Sequence, residues 1–447
     1  MPADPLPELA ALDVAPEGVR IPPGVTVPLT PRVRALLDTA EVRRLARVSQ
    51  LGLVSLVYPG AVHSRLEHSL GVYRLALEFL ARLGRDTRFA AVVGPDDAAA
   101  FAAAALLHDV GHWPYCHPVE DMGLPEIPRH ESLVRGLLAG GAAGRVLERD
   151  WGLDPARIAG LIEGTATDPA GRILTSMLSG PVDVDKMDYL SRDSLHAGVP
   201  YGSHFDQERL LAGLCLDEAG AALAITAKAR TAAELMVFAR YVMFSEVYWH
   251  HAVRAATAML QRAVWLVRGG LDVPRLVRAD DAGWIAHVRE AAAGTPAEQL
   301  VDGLFGPTRR LYKRVATWDA THRPDLHRAL AGRPYAAMAD VSERLAELVS
   351  SRLGRRVSAH ALLVDAPPAE KEVEFRLQVR DQPARRGDDA RPAWRRLEDL
   401  SPVVRSLARE QFDDLVKRVR IFAAPEMAEA VADCDGLDGC VLEAAAG

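Results

Sequence analysis

Long apolar runs, paired cysteines and lysine are what this 447-residue chain has little of. No stretch approaches the ~18 apolar residues expected of a membrane-spanning helix. Its four cysteines, Cys116, Cys215, Cys434 and Cys440, form no CxxC pair, so there is no zinc-ribbon or thioredoxin-type motif. Four scattered thiols in a chain of this size suit a reducing cytosol, and a cytoplasmic location is expected. The opening MPADPLPELAALDVAPEGVR is acidic and contains proline, unlike a secretory signal. Only five lysines stand among 53 basic residues, a bias toward arginine that reads as base composition before function. The net charge of −7 argues against a protein that coats nucleic acid. What remains, 49 % hydrophobic and 25 % charged residues, is an ordinary globular composition, and the length suffices for two or three domains.

Residues 1–28, rich in proline, read as a poorly ordered lead-in. Helical patterning begins at Pro31 and continues over Val42–Leu51, and Tyr58-Pro59-Gly60 marks a turn. From Ser64 to Leu83 the residues Leu66, Leu70, Tyr73, Leu77 and Leu80 recur at helical spacing. Pro95 and two aspartates open a second helix. Val182–His196 reads as a helix ending at Gly198, Ala221–Thr226 as a strand pairing with Leu214–Asp217, and Ala232–Val267 as one very long helix. Residues 270–350 continue as helices. Beyond about residue 355 the pattern changes. Ser358–Asp365, Val373–Arg380 and Val416–Phe422 are strand-like, Leu400–Leu415 is helical, and Asp381–Pro392 is a surface loop. The expected division is 1–28 lead-in, 29–355 helical domain, 356–432 small α/β module and 433–447 frayed tail, a mainly α protein.

The chemistry concentrates in FAAAALLHDVGHWPYCH, residues 101–117. An alanine-rich helix former runs directly into His108-Asp109. One such dipeptide alone is more simply a helix cap beside a solvated carboxylate. The rest of the chain changes that balance, because it supplies His68 on the preceding helix and a dense acidic stretch, DVDKMDYLSRD, at 183–193. Two imidazoles and two carboxylates (His68, His108, Asp109, Asp185) make an N2O2 set that fits Fe, Mn, Zn or Ni and acidifies water for hydrolysis.

These motifs resemble the HD phosphohydrolase superfamily. More narrowly, the chain resembles deoxynucleoside triphosphate triphosphohydrolases, the family of the mammalian SAM-and-HD-domain enzyme and its bacterial relatives. The resemblance rests on VRRLARVSQLG, YPGAVHSRLEHSLGV, LLHDVGHWPYCH, the His130-Glu131 pair, DVDKMDYLSRD and the late VKRVRIF, and runs from about residue 28 to about 425. It implies an HD-domain helical core with a smaller C-terminal α/β module. It implies His68, His108, Asp109 and Asp185 as metal ligands, and His112, His117, His130 and Glu131 as the proton-handling groups beside the scissile phosphate. It implies Arg65, Lys186 and Arg240 as phosphate contacts, Gln50 and Asp193 as partners of the sugar 3′-hydroxyl, and Leu51, Tyr189 and Tyr248 as its neighbours. A divalent transition metal, with magnesium on the substrate phosphates, and a homo-oligomer (dimer or tetramer) follow from the same resemblance. Ala46 and Ser49 stand where nucleotide-regulated members carry basic residues.

The expected activity is hydrolysis of a deoxynucleoside triphosphate to deoxynucleoside and tripolyphosphate. Two rivals remain at this point: a phosphodiesterase or nuclease acting on oligonucleotides or a signalling nucleotide, and a nucleotide-sensing binding protein without turnover. The acidic net charge disfavours long nucleic acid as partner, and the intact His112, His130 and Glu131 disfavour a pure sensor.

Overall fold

Ser64 accepts a hydrogen bond from the Glu67 amide and starts helix α1, Arg65–Leu83. Gly94 and Pro95 start α2, Pro95–Leu107, where the Asp97 carboxylate receives the Gly94 amide. Every residue from Ala99 to Leu107 is buried. Alanine keeps that helix thin, so α1 and Pro155–Ile162 pack directly against it. Helix α3, His130–Gly140, follows the loop after α2. Helix α4, Val184–Ala197, is capped by Asp183 on the Lys186 amide (2.6 Å) and stopped by left-handed Gly198. The contact between α4 and α1 depends on Gly71, because a Cβ there would collide with the Asp188 carboxylate and the Arg192 guanidinium.

The computed structural model describes residues 6–14, 18–367, 377–381, 393–407 and 415–447. It is about 60 % helical, so the chain is mainly α as expected. Strands β1 (Gly18–Ile21) and β2 (Val25–Pro28) form an antiparallel hairpin. A four-stranded sheet has the order β3 (Leu214–Leu216), β4 (Leu223–Thr226), β7 (Gln378–Arg380), β8 (Trp394–Arg396), with β4 and β7 parallel. A three-stranded antiparallel sheet places β9 (Val419–Ala423) between β5 (Lys313–Trp318) and β6 (Leu362–Asp365). Both larger sheets cross the division expected at residue 355, so the late strands complete earlier structure.

Several other expectations are corrected. The lead-in is folded where it is described: Pro7–Val14 is helical, and buried Glu8 takes hydrogen bonds from Thr30 (2.7 Å) and Arg32 (2.8 Å). The helix expected over Val42–Leu51 stops at Leu45. The single helix expected over Ala232–Val267 is two, α5 (Arg230–Met243) and α6 (His251–Val267). A π-helical turn, Phe244–Tyr248, and an extended ψ of 135° at His250 separate them. Strand β5 lies in a region read as helical. The tail is a helix, Leu437–Ala446, with Cys440 and Val441 buried against Tyr335–Leu353. Within Leu400–Leu415 the described helix is Pro402–Ser406, with Leu400 closing the preceding turn Leu397–Leu400 and π-helical residues at Leu407 and Leu415. Residues 408–414, and parts of the expected Val373–Arg380 strand and Asp381–Pro392 loop, lie outside the described residues. Among the described residues no helix is long and apolar enough to cross a membrane.

Apolar residues gather into two cores. One surrounds α1, α2 and α4, and the other surrounds α6 with the later sheet. The loop after α2 spans both: Val110 belongs to the first, and Trp113, Cys116 and Val119 to the second.

Candidate active site

The histidine of α1, the last turn of α2 and the first turn of α4 meet at one point. His68 Nε2 lies 3.0 Å from Asp185 Oδ1 and 3.2 Å from His108 Nε2, and the three donor atoms fall within 4.8 Å of one another. Their tautomers are fixed from behind. His108 Nδ1 is 2.9 Å from the Ala105 carbonyl, which can only accept, so Nδ1 carries the proton. His68 Nδ1 is 2.8 Å from Asp188 Oδ2, and Asp188 is itself held by both sides of the Arg192 fork (2.8 Å each). Two imidazole lone pairs and a carboxylate therefore face one another, an arrangement that a cation or a proton must neutralise. A carboxylate behind a ligating imidazole is a common support of metal sites. The donor set fits a divalent transition metal.

In the protein without metal the proton takes that place. Burial opposes charge on His68, but the hydrogen bonds to Asp185 and Asp188 outweigh it and raise its pKa to about 10. A cation binding at pH 7 must displace this proton, so calorimetric titration in buffers of different ionisation enthalpy will show release of about one proton per cation. Affinity will rise with pH through the range below 10. Binding with no proton release would show that His68 is not a ligand.

Asp109 stands beside this trio and does not close it. Its Oδ1 is 3.4 Å from His108 Nε2 and 3.0 Å from His112 Nδ1, while Oδ2 receives Arg65 at 2.9 Å. Burial works against the charge, but His112, Arg65, His108 and His68 hold the Asp109 carboxyl well below the usual range. Arg65 is thus paired with Asp109.

The second cluster follows in the loop. His112, His117 and His130 pack ring on ring, with centroids 3.7 Å (His112–His130), 5.2 Å (His112–His117) and 5.0 Å (His117–His130) apart. Gly111 makes this possible, since a Cβ there would strike the His130 carbonyl. Arg44 pins the loop by donating to the carbonyls of Val110 (2.9 Å) and His112 (2.8 Å). Burial, then the charge of Arg65, lowers the Arg44 pKa to about 10. Burial and Arg65 also push His112 well below the imidazole range, against the pull of Asp109. His117 is exposed at the surface, yet desolvation by its neighbours, then His130 and Arg65, push it down. His130 differs in having a carboxylate partner: Glu120 Oε2 is 2.9 Å from its Nδ1, and Glu120 Oε1 takes its backbone amide at 2.7 Å. Glu120 stays ionised because His130 outweighs the effect of its burial. Glu131, the partner expected from sequence, is 3.4 Å from His130 Nε2.

Along α4, Asp185, Tyr189 and Asp193 recur every four residues and share one face. Asp193 accepts from Tyr248 (2.6 Å) and pairs with His63 (3.0 Å). Tyr189 and Tyr248 are edge to face at 6.5 Å. Lys186 Nζ is tied to Asp183 at 2.7 Å. Charge on Arg240 and on Lys186 reaches Tyr189 and offsets part of the rise that burial causes there. The Gln50 side-chain oxygen is buried without a hydrogen-bond partner among the described residues. Its neighbour Leu51 is half-buried against the first core.

Sequence reasoning missed His63, Asp188, Glu120, Arg192 and Arg44. Asp188 lies inside the acidic motif, and His63 inside a matched stretch. Glu120, three residues after His117, carries no local signal.

Residues 65–146 match the HD domain family, and residues 205–435, more than half the chain, match the family described as the HD associated region. The chain belongs to the HD-domain phosphohydrolases. Asp185 and Asp193 fall between the two matched ranges. Over 287 residues the chain is 33 % identical to an uncharacterized protein of Methanocaldococcus jannaschii, covering 63 % of this chain and 56 % of that one. An uncharacterized Bacillus subtilis protein is 35 % identical over 230 residues, 51 % of this chain and 50 % of its own. The deoxynucleoside triphosphate triphosphohydrolase SAMHD1 of Gallus gallus is 28 % identical over 268 residues, 53 % of this chain and 43 % of its own. The chain thus spans about half the length of the curated relatives it matches. Among solved structures, a hypothetical protein from Aquifex aeolicus superposes with a TM-score of 0.69 at 24 % identity, over 93 % of this chain and 98 % of that one. A phosphohydrolase from Bacteroides thetaiotaomicron gives 0.67 at 20 %, over 91 % and 99 %. At these identities the likeness is one of fold.

Proposed function

We propose that the chain hydrolyses deoxynucleoside triphosphates to deoxynucleoside and tripolyphosphate. The observation that carries this reading is the single face of α4, which offers Asp185 to the cation cluster and, two turns on, Asp193 to a hydroxyl beside Tyr248. Eight residues of helix advance about 12 Å, which separates a phosphate end from a sugar end. The similarity to deoxynucleoside triphosphate triphosphohydrolases supports it.

A divalent transition metal (Fe, Mn, Zn or Ni) held by His68, His108 and Asp185, with Asp109 beside them, would supply Lewis acidity and lower the pKa of water. The chain's own groups do the rest. Water oxygen joins the α-phosphorus, the bond from phosphorus to the 5′-oxygen breaks, and that oxygen takes a proton. His130, supported by ionised Glu120, is the imidazole best placed to carry that proton, because His112 and His117 are pushed toward neutrality. Arg65, Lys186 and Arg240 neutralise the phosphates, with Arg65 exchanging Asp109 for phosphate oxygen. Magnesium accompanies the substrate phosphates. Leu51 and the Tyr248 ring flank the sugar and leave little room for a 2′-hydroxyl.

A deoxynucleotide will therefore be cleaved faster than the ribonucleotide of the same base. Asp193→Asn will retain more activity than Asp193→Ala, since an amide oxygen still accepts from the 3′-hydroxyl. Parallel assays of both nucleotides under one metal condition read this. Equal rates for the two sugars would remove the sugar contact from the account.

A further inference from the structure

One thiol lies between α2 and α3, at the start of the short helix Cys116–Glu120. Cys116 is buried, and its Sγ and one ring nitrogen each of His112, His117 and His130 all fall within 4.8 Å of one another. This group shares no residue with His68, His108 and Asp185, and its chemistry differs: three imidazoles and a thiol, against two imidazoles and a carboxylate.

The fold sets these donors in place. Tyr115 stands in the left-handed region (φ 57°), with its ring against Trp284 (4.8 Å) and Phe305 (5.5 Å). The turn brings Cys116 and His117 onto the side of the loop where His112 lies. Glu120 on Nδ1 of His130 leaves Nε2 of that ring with the lone pair and raises its strength as a ligand. His117 keeps an exposed edge, which gives an ion a way in.

Three nitrogens and a sulfur at this spacing are a donor set for borderline, thiophilic ions that accept four ligands. Magnesium and calcium prefer oxygen and gain little here. We propose that Cys116, His112, His117 and His130 form a second cation site, selective for a zinc-class ion, whose occupation switches the reaction off. The inhibitory part rests on the reading above, in which His130 delivers the proton. Binding exchanges the thiol S–H bond for a metal–sulfur bond and sends the proton to solvent, with no change of oxidation state. Without metal, burial holds the Cys116 thiol up at about 12, so it stays protonated until an ion displaces the proton.

Cobalt(II) separates this site from the first, because only this one contains sulfur. The wild type titrated with cobalt(II) in the absence of substrate will develop a near-ultraviolet sulfur-to-cobalt charge-transfer band at the second equivalent. Cys116→Ser will lack that band and keep the first equivalent. His117→Gln, altered at the exposed edge, will weaken it and serves if the serine variant does not fold. In turnover assays excess zinc will inhibit the wild type, and Cys116→Ser will need about 10–100-fold more zinc for the same inhibition. No band with two equivalents bound, or a band that survives Cys116→Ser, overturns the site. A band lost with Cys116 while zinc leaves turnover unchanged overturns the inhibitory role. The band is read without substrate, so it decides the site even if deoxynucleotides are not hydrolysed.

Discussion

Asp109→Ala is expected to yield protein that has lost both the cation of the His68–His108–Asp185 cluster and hydrolytic activity. The carboxylate is 3 % exposed and is the common neighbour of His108, His112 and Arg65. Its removal takes an oxygen donor from the edge of the cation cluster and leaves the Arg65 guanidinium buried without its partner. Breaking a buried pair from one side costs about 3–5 kcal/mol, so the variant will also melt earlier. Asp185→Ala separates the two effects, because Asp185 is a third exposed and pairs with His68 at the rim. It will lose metal with a smaller loss of stability. Elemental analysis and a thermal melt on both variants read the difference. A metal-free wild type that is fully active would remove the cation from the account.

His130→Ala is expected to keep the cation of the His68–His108–Asp185 cluster and most of its substrate affinity while turnover falls by about 10²–10⁴-fold, the usual worth of a positioned acid or base. Glu120→Gln preserves the shape of the pair and removes the charge. Turnover will fall while the His68–His108–Asp185 cation and KM are little changed, a kcat-only loss that a general loss of packing would not produce. His112→Ala will lower turnover less, because His112 is already driven toward neutrality. A fully active His112/His130 double variant would place the proton source elsewhere.

The two helices that carry His68 and His108 were legible because their signals are local. Helical spacing over Ser64–Leu83, the proline and aspartates at 95–97, and the alanine run up to Leu107 each act within one or two turns. The start and stop of α4 were legible for the same reason, in Asp183 and Gly198. The groups that support the site were not. Asp188 reaches His68 across 120 residues, and Asp193 reaches His63 across 130. Nothing near Glu120 announces that His130 will fold onto it. The break between α5 and α6 escaped notice because apolar periodicity continues through Phe244–Tyr248, and an inserted π-turn leaves no compositional mark. Strand β5, KRVATW, is an edge strand with charged, largely exposed positions, so its alternation is weak. The lead-in looked unstructured because its anchor is one buried carboxylate, Glu8, answered by Arg32 beyond the hairpin.

The most direct measurement is product identification by phosphorus NMR and chromatography, with purified protein, one deoxynucleoside triphosphate and a series of divalent metals. A labelled oligonucleotide is run under the same conditions. Tripolyphosphate and free deoxynucleoside are expected in equal amounts, with the oligonucleotide left uncut. Orthophosphate or pyrophosphate as the released anion, or internal cleavage of the oligonucleotide faster than of any triphosphate, would contradict triphosphohydrolysis.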